Sequence, residues 1–454
     1  MGVLTVMRSH LGWPRRAASL LRSLDQTIAR QASRPLARNE LLGLRYFWLD
    51  GLFSAISENF YASFLTLFAL AYGASNGQIG ILSSVGSLLG ALALFPGARL
   101  AEALGSRKTI ILWTGGGIGR LALLALAALP LFVSDPALAL VLIIALGGLR
   151  AFMGNFGNPA WTALVADLVP SSLRGRYFGN RNMAMGVAAL VVAPLAGWLI
   201  RAANAWTGNP LVGYQIVFIL AFAFGLVGTL CFARIPDPEP ASRARGRHTL
   251  ADLRRALVNS PGFLGLVLSA FVWNLAIQVA APFFSVYLVN DLGGTASTIG
   301  LMASVSSLFS LAGQRVFGPL LDRKGALWVQ KVTGLLIPLL PLLWIFITRP
   351  WHAFFINAYG GFLWAGYNLA NFNLLLELTP DEERPQAAAL YQTVVFVSAI
   401  IGPLLGGYLA DAVSFHLIFA LSGIGRAAGI VLFLWLTARP VYRSGKGLPV
   451  STAP

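Results

Sequence analysis

The stretch RIPDPEPASRARGRHTLADLRRALVNSP, Arg234 to Pro261, is polar, basic and proline-bearing, and it interrupts a chain that is otherwise hydrocarbon. On either side lie apolar runs with very short polar punctuation. The stretch therefore reads as a surface linker between two membrane-embedded halves, and the chain folds in two about it. The expected order is a basic N-terminal segment 1–44, a six-helix bundle 45–233, the linker 234–261, a second six-helix bundle 262–438 and a tail 439–454.

Composition sets the class. Hydrophobic residues make up 57% of the chain and charged residues 11%, whereas a soluble domain carries about 25% charged residues. Such a chain is a polytopic membrane protein. A net charge of +16 would suggest nucleic acid in a soluble protein. Here the arginines cluster in loops and termini, where they orient the chain and meet anionic lipid headgroups, so no nucleic-acid partner is expected. The single cysteine, Cys231, excludes an internal disulfide and any cysteine-rich metal site. His10, His248, His352 and His416 lie at ends or in loops, and neither an HExxH run nor a serine elbow is present. The expectation is a protein that is no enzyme and needs no metal or cofactor.

A spanning helix needs about 20 predominantly apolar residues. That rule places helices 1 to 6 at 45–71, 78–101, 109–132, 137–165, 183–201 and 212–233. It places helices 7 to 12 at 262–289, 297–321, 327–348, 352–377, 387–410 and 415–437. An even number of crossings puts both termini on one side. The termini and the loops of that side hold about two dozen of the 33 arginines and lysines, and the opposite loops hold Arg201 and Arg349, so cytoplasmic termini in the plasma membrane are expected. Within the N-terminal segment Leu20, Leu21, Leu24 and Ile28 recur at helical spacing among arginines, which fits a short helix on the membrane surface as well as a disordered basic tail.

The halves repeat each other. A shift of 220 lays IGILSSVGSL (79–88) on IGLMASVSSL (299–308), and Leu100, Glu102 and Gly105 on Leu320, Asp322 and Gly325. A shift of 210 lays Asn158, Ala160, Leu168, Pro170 and Arg174 on Asn368, Ala370, Leu378, Pro380 and Arg384. A shift of 209 lays APLAG (193–197) on GPLLG (402–406). Each half is thus one six-helix repeat in the same orientation, and the fold class is an all-α membrane protein with twelve transmembrane helices in two pseudo-symmetric bundles.

From about Arg45 to Arg439 the residues resemble the major facilitator superfamily of secondary transporters. Its signature between helices 2 and 3 is glycine, then aspartate, arginine and glycine. The second half carries it as Gly318, Asp322, Arg323 and Gly325. The first half departs from it, with Glu102 for the aspartate, Ala103 for the arginine and Gly97 one residue early, while Gly105, Arg107 and Lys108 fit. A second motif, arginine and glycine four apart in helix 4, matches Arg150 and Gly154. The glycine-proline signature of helix 5 is partly met by Pro194 and Gly197, and its fuller form GPLLGG (402–407) stands on helix 11, which leaves antiport open. The resemblance implies an inner gate in which Asp322 faces the start of helix 5 near Arg174 and Arg181, and Glu102 faces the start of helix 11 near Arg384. It also implies a central cavity lined by helices 1, 4, 7 and 10.

Ionisable side chains deep in a bilayer cost roughly 2.5 to 3.5 kcal/mol each on insertion scales and mark function. Asp50, Glu58, Arg120, Arg150, Arg315 and Arg426 are the candidates. Position along the helices puts Glu58, Arg120, Arg150 and Arg426 near the midplane, and the resemblance, which implies helices 3, 6, 9 and 12 on the outside, favours Glu58 and Arg150 as a proton-coupling carboxylate and its partner. Asp50 and Arg315 lie within two turns or so of the cytoplasmic face, close enough to snorkel, and Arg120 and Arg426, each in the tetrapeptide GIGR, read as structural. Helices 7 and 10 offer Trp273, Asn274, Gln278, Asn357, Trp364, Tyr367, Asn368 and Asn371. The spacing of the last four puts them on one face of helix 10, either as interhelical glue or as an aromatic and amide-lined substrate site. The glycine run Gly115–Gly119 reads as close helix packing.

The expected function is alternating-access transport of a small molecule by a monomer in the lipid bilayer, coupled to protons, with export of a drug or lipophilic metabolite favoured. Uptake of a small organic anion or sugar is the alternative within the class. A receptor or lipid scramblase that keeps the fold without coupled transport is the alternative outside it.

Overall fold

In hydrocarbon every backbone N–H and C=O must find its partner within its own segment, so apolar runs of this length become helices. The computed structural model describes residues 23–29, 35–103, 106–236, 261–377 and 384–437. The interior of the linker, most of the basic N-terminal segment, Gly105 and the C-terminal tail lie outside them. Among the described residues the regular structure is helical, with no strand.

The first half contains α1 (Arg38–Tyr61, resumed after a turn as Leu65–Ala71), α2 (Asn76–Ala103) and α3 (Arg107–Trp113 and Gly119–Phe132, joined by a π-helical turn at Thr114–Ile118). It continues with α4 (Pro136–Leu168), α5 (Ser171–Thr207) and α6 (Val212–Ala233). The second half contains α7 (Pro261–Ala280, resumed as Phe283–Asn290), α8 (Ala296–Lys324), α9 (Ala326–Leu336, resumed as Leu339–Ile345), α10 (His352–Glu377), α11 (Arg384–Ala412) and α12 (Phe415–Thr437). Ten of these are long and apolar enough to cross a membrane. The other two, α1 and α10, carry Asp50 and Glu58 or the row of asparagines, and those polar groups lower their hydropathy. The chain is a multi-pass membrane protein.

Two helix starts depart clearly from expectation: helix 1 is expected to start at 45, but α1 starts at Arg38, inside the expected N-terminal segment. Helix 5 is expected to start at 183, but α5 starts at Ser171. Arg174, Arg176 and Arg181 break the apolar run without breaking the helix, and Arg174 and Arg181 bond to protein carbonyls rather than to lipid.

The face where α1 begins and α6 ends is here called the linker face, and the opposite one the distal face. At the linker face residues 23–29 form a short helix that docks on protein instead of lying on lipid. Ile28, 2% exposed, is buried with Leu44 and Phe47 of α1, Leu164 and Val165 of α4, and Leu173 and Tyr177 of α5. Leu24 packs against the same cluster, and Asp25 pairs with Arg45 at 3.0 Å. Leu20 and Leu21 lie outside the described residues. Truncating a buried isoleucine costs about 2 to 5 kcal/mol, so Ile28→Ala is expected to lower the thermal unfolding midpoint of the purified protein measurably. A helix resting on lipid would tolerate the change.

The halves meet through α2 with α11 and α5 with α8, and the close approaches cluster near the distal face. Ser297 Oγ donates to Gly197 O at 3.1 Å, and Ser304 Oγ to Leu190 O at 2.6 Å. Gly77 N donates to Asp411 Oδ2 at 2.8 Å. Towards the linker face the same helices part: a Cβ added at Gly186 would still lie 3.7 Å from Leu311, but one at Gly179, Gly175 or Gly318 would meet no described atom within 4 Å. The molecule is closed at the distal face and parted at the linker face.

Candidate functional site

The site grows from one face of α1. Asp50, Ser54, Ser57 and Glu58 stand four, three and one residues apart, a spacing that stacks them along a single helical stripe. Three arginines from three other helices close on that stripe. Arg120 of α3 donates from Nη2 to Ser54 Oγ and from Nη1 to Ser57 Oγ, both at 2.9 Å. Arg150 of α4 is ion-paired with Glu58, and its guanidinium lies 4.2 Å from the centre of the Tyr61 ring. Arg181 of α5 has Nη2 3.9 Å from Asp50 Oδ2, donates from Nε to Phe47 O at 3.3 Å and lies over the Phe47 ring.

The hydroxyls connect these groups. Ser54 Oγ donates to Asp50 Oδ1 at 3.3 Å, and Ser57 Oγ donates to Ala221 O of α6 at 2.6 Å. Two glycines make the approach possible. A Cβ at Gly51 would overlap the Arg181 guanidinium, and one at Gly225 would stand 2.7 Å from Arg120 Cδ. The groups border a cavity of about 470 Å³, walled further by Trp161, Met185, Thr229 and Phe232 and by Gly115, Gly116 and Gly119. The π-helical turn at Thr114–Ile118 supplies that glycine wall, and its Gly116 carbonyl accepts a hydrogen bond from Thr229 Oγ1 at 3.0 Å. The glycine run thus packs α3 near Gly154 of α4 and also lines the cavity.

Three expectations change. Asp50 does not snorkel: its carboxylate is tied through Ser54 to Arg120 and faces Arg181, because partners inside the bundle are nearer than the surface. Arg120, read as structural, lines the cavity, since the room beside Gly225 lets it reach α1. Arg181, expected near Asp322, turns inward instead. Arg174, expected beside it, donates to Ala166 O and Val169 O at 3.1 and 3.3 Å, where the carboxyl end of α4 attracts a cation.

The second half arranges its candidates differently. Trp273, 3% exposed, stacks on Tyr367 with ring centres 4.8 Å apart, and Trp364 meets both edge-on. Asn371 Nδ2 donates to Tyr391 Oη at 2.9 Å. The space bounded by Trp273, Gln330, Tyr367, Asn371 and Tyr391 is about 20 Å³, enough for about one water. Asn274 and Asn357 donate to carbonyls of their own helices at 2.8 Å. Gln278 packs at the α7–α11 contact, where a Cβ on Gly402 would come within 2.5 Å of it, and Asn368 is exposed. Arg426 is buried, with no ion pair among the described residues.

At the linker face Glu102, Asp322, Arg323 and Gly325 are exposed. No ion pair joins Asp322 to a described residue. Arg107 pairs with Asp167 of its own half, and for Arg384 only its place at the start of α11 is described. Ser54, Ser57 and Thr229 were missed as site residues. Their spacing from Asp50 and Glu58 was the available signal for the two serines, whereas Thr229 on α6 had none.

Comparison with known proteins agrees with this architecture. The chain is 30% identical over 300 residues to the "Multidrug resistance protein MdtG" of Citrobacter koseri, an alignment covering 63% of this chain and 68% of that relative. It is 25% identical over 393 residues to the "Multi-drug resistance efflux pump PmrA" of Streptococcus pneumoniae, covering 83% of this chain and 91% of the relative. Among solved structures, a bacterial homolog of the human lysosomal transporter Spinster, inward-facing and unoccupied, superposes with a TM-score of 0.65 at 15% identity, over 90% of this chain and 97% of that one. The family model described as "Major Facilitator Superfamily" matches residues 47–279 and again 266–452. With both halves matched by that model, twelve helices arranged as two bundles, and a charged cavity inside the first of them, the chain belongs to the major facilitator superfamily.

Proposed function

We propose that the chain is a proton-coupled exporter of lipophilic small molecules, working as a monomer by alternating access with its linker face towards the cytoplasm. The observation that carries the reading is the Glu58–Arg150 ion pair beside a membrane-embedded cavity. Its carboxylate is 48% exposed and its guanidinium 18%, so the acid is the partner that solvent and protons reach. Protonating Glu58 cancels its attraction for Arg150, and a change of charge inside the bundle is what a rocking equilibrium can respond to. The multidrug names of the relatives support export and a lipophilic cargo. The groove of α5 and α1 at Leu52, Ile56, Met183, Val187 and Val191, which Arg176 and Asn180 also line and which borders about 850 Å³, would suit such a cargo. Trp364 and Asn368 are the substrate contacts proposed from the second half. Asp322 and Glu102 are proposed to close the linker-face gate when the halves rock.

A second reading has its own support. The cavity holds three guanidiniums, Arg120, Arg150 and Arg181, against two carboxylates, Asp50 and Glu58, an excess of one positive charge when all are ionised. Such a cavity favours an organic anion. Because protonated Glu58 releases Arg150, proton and anion would bind together and travel in one direction, whereas a neutral or cationic lipophile competes with the proton.

Reconstituted vesicles with a pH dye in the lumen separate the readings. Addition of a quaternary-ammonium dye or a neutral steroid is expected to move protons opposite to the cargo. Protons moving together with an aryl carboxylate would establish the second reading, and no proton movement with any of the three would end both.

A further inference from the structure

We infer that Asp411 is a latch that holds the distal face closed, acting across the two halves on the amino end of α2. The helix α2 begins with a local cap: Ser75 Oγ accepts from Gln78 N at 3.2 Å, and Gln78 Oε1 accepts from Ser75 N at 2.9 Å. A capping box of this kind satisfies two of the orphan donors at a helix start and leaves others open. One of those left open, Gly77 N, donates to Asp411 Oδ2 at 2.8 Å, 334 residues away in sequence.

The acid is badly placed in its own helix. Asp411 lies in the last turn of α11, which ends at Ala412, and a carboxylate at a helix carboxyl end is repelled by the dipole. Its charge is favourable only while the amino end of α2 is in front of it. That geometry exists only while the distal face is closed. The contact is close because both helices are thin there: a Cβ at Gly407 would lie 2.7 Å from Asn76 O, and one at Gly77 would lie 3.1 Å from Asp411 Oδ2 itself. When the halves part at the distal face, Asp411 returns to the unfavourable end of α11 and Gly77 N loses its acceptor. The latch therefore weights one state of the transport cycle.

The pseudo-symmetric seam lacks it. Under the 209-residue shift that aligns α5 with α11, Asp411 falls on Ala202. The α5–α8 contact is held by the hydroxyl bonds of Ser297 and Ser304 and has no carboxylate. Among the described residues a carboxylate thus guards one of the two distal seams.

The inference rests on the alternating-access reading, and its test distinguishes the two. Spin labels go on Trp206→Cys and Val413→Cys, whose native side chains are 90% and 63% exposed at the distal face, in a Cys231→Ser background. A charge-assisted hydrogen bond is roughly twice as strong as a neutral one. Asp411→Ala is therefore expected to raise the distal-open population about tenfold, Asp411→Asn less, and Asp411→Glu least. Gly77→Ala, which crowds the same carboxylate, is expected to raise it in the parent and to add nothing in the Asp411→Ala background, a non-additivity that general destabilisation does not produce. Equal distal opening in parent and Asp411→Ala overturns the latch and leaves alternating access standing. A distal face that opens in none of these proteins overturns both.

Discussion

Glu58→Gln is expected to abolish concentrative transport driven by a pH gradient while exchange of substrate across the membrane continues. Glutamine copies the protonated acid: it keeps the shape and removes the charge that binds Arg150. On the proposed coupling, the parent carboxylate holds or releases the guanidinium as the proton arrives from whichever face is open. In the variant that choice is gone, so the two gradients uncouple and accumulation falls by at least about tenfold. A static pair makes a different forecast. If Glu58 only neutralises a buried arginine, its removal leaves an uncompensated charge in the bundle, a loss of about 3 to 5 kcal/mol, and the protein fails by unfolding rather than by uncoupling. The double variant Glu58→Gln with Arg150→Met separates the cases, since it removes both charges and restores stability. Restored stability without pH-driven accumulation supports coupling. Accumulation that still follows a pH step in Glu58→Gln ends the assignment.

The fold was legible because the bilayer leaves few options. A basic linker, apolar runs of spanning length and a repeat at shifts of 209 to 220 residues define two bundles without any tertiary information. The site was legible in part. Glu58 and Arg150 stand out as charges where charges are costly, and the structure places them against each other. Arg181 was read as a gate residue because the apolar run of helix 5 begins after it, and arginines that face protein look, in sequence, like arginines that face water. The cavity-lining part of Arg120 depends on Gly225, 105 residues away, and no local pattern announces that vacancy. The repeat itself suggested balanced halves. The chemistry is unbalanced: the first half holds the charged cavity, while Trp273, Trp364 and Tyr367 of the second pack on one another. Backbone symmetry follows from duplicated helix patterns, but the side chains that fill each bundle are free to diverge.

Gly197→Leu and Gly300→Leu are each expected to arrest the protein with its distal face open. These glycines form a reciprocal pair between α5 and α8: a Cβ at Gly197 would overlap the Ala296 carbonyl oxygen, and one at Gly300 would overlap the Ala193 carbonyl oxygen. Both obstacles are helical backbone, which cannot swing aside as a side chain can. Overpacking costs about 1 to 3 kcal/mol where the surroundings can yield, and here the least costly way to yield is for the halves to part. States of a transport cycle differ by only a few kcal/mol, so one leucine is enough to reverse the population. Flux should fall at least tenfold, in proportion to the lost closed state, and the Trp206–Val413 label distance should lengthen. Each bundle keeps its own packing, so the unfolding midpoint should change little. Gly86→Leu is the control: an added Cβ there meets no described atom within 4 Å, and flux should stay within about twofold of the parent. Transport at the parental rate in Gly197→Leu would show that distal closure is not part of the cycle. The two seams would then differ in kind, because Asp411 and Gly77 bond across α2 and α11 whether or not α5 and α8 ever separate.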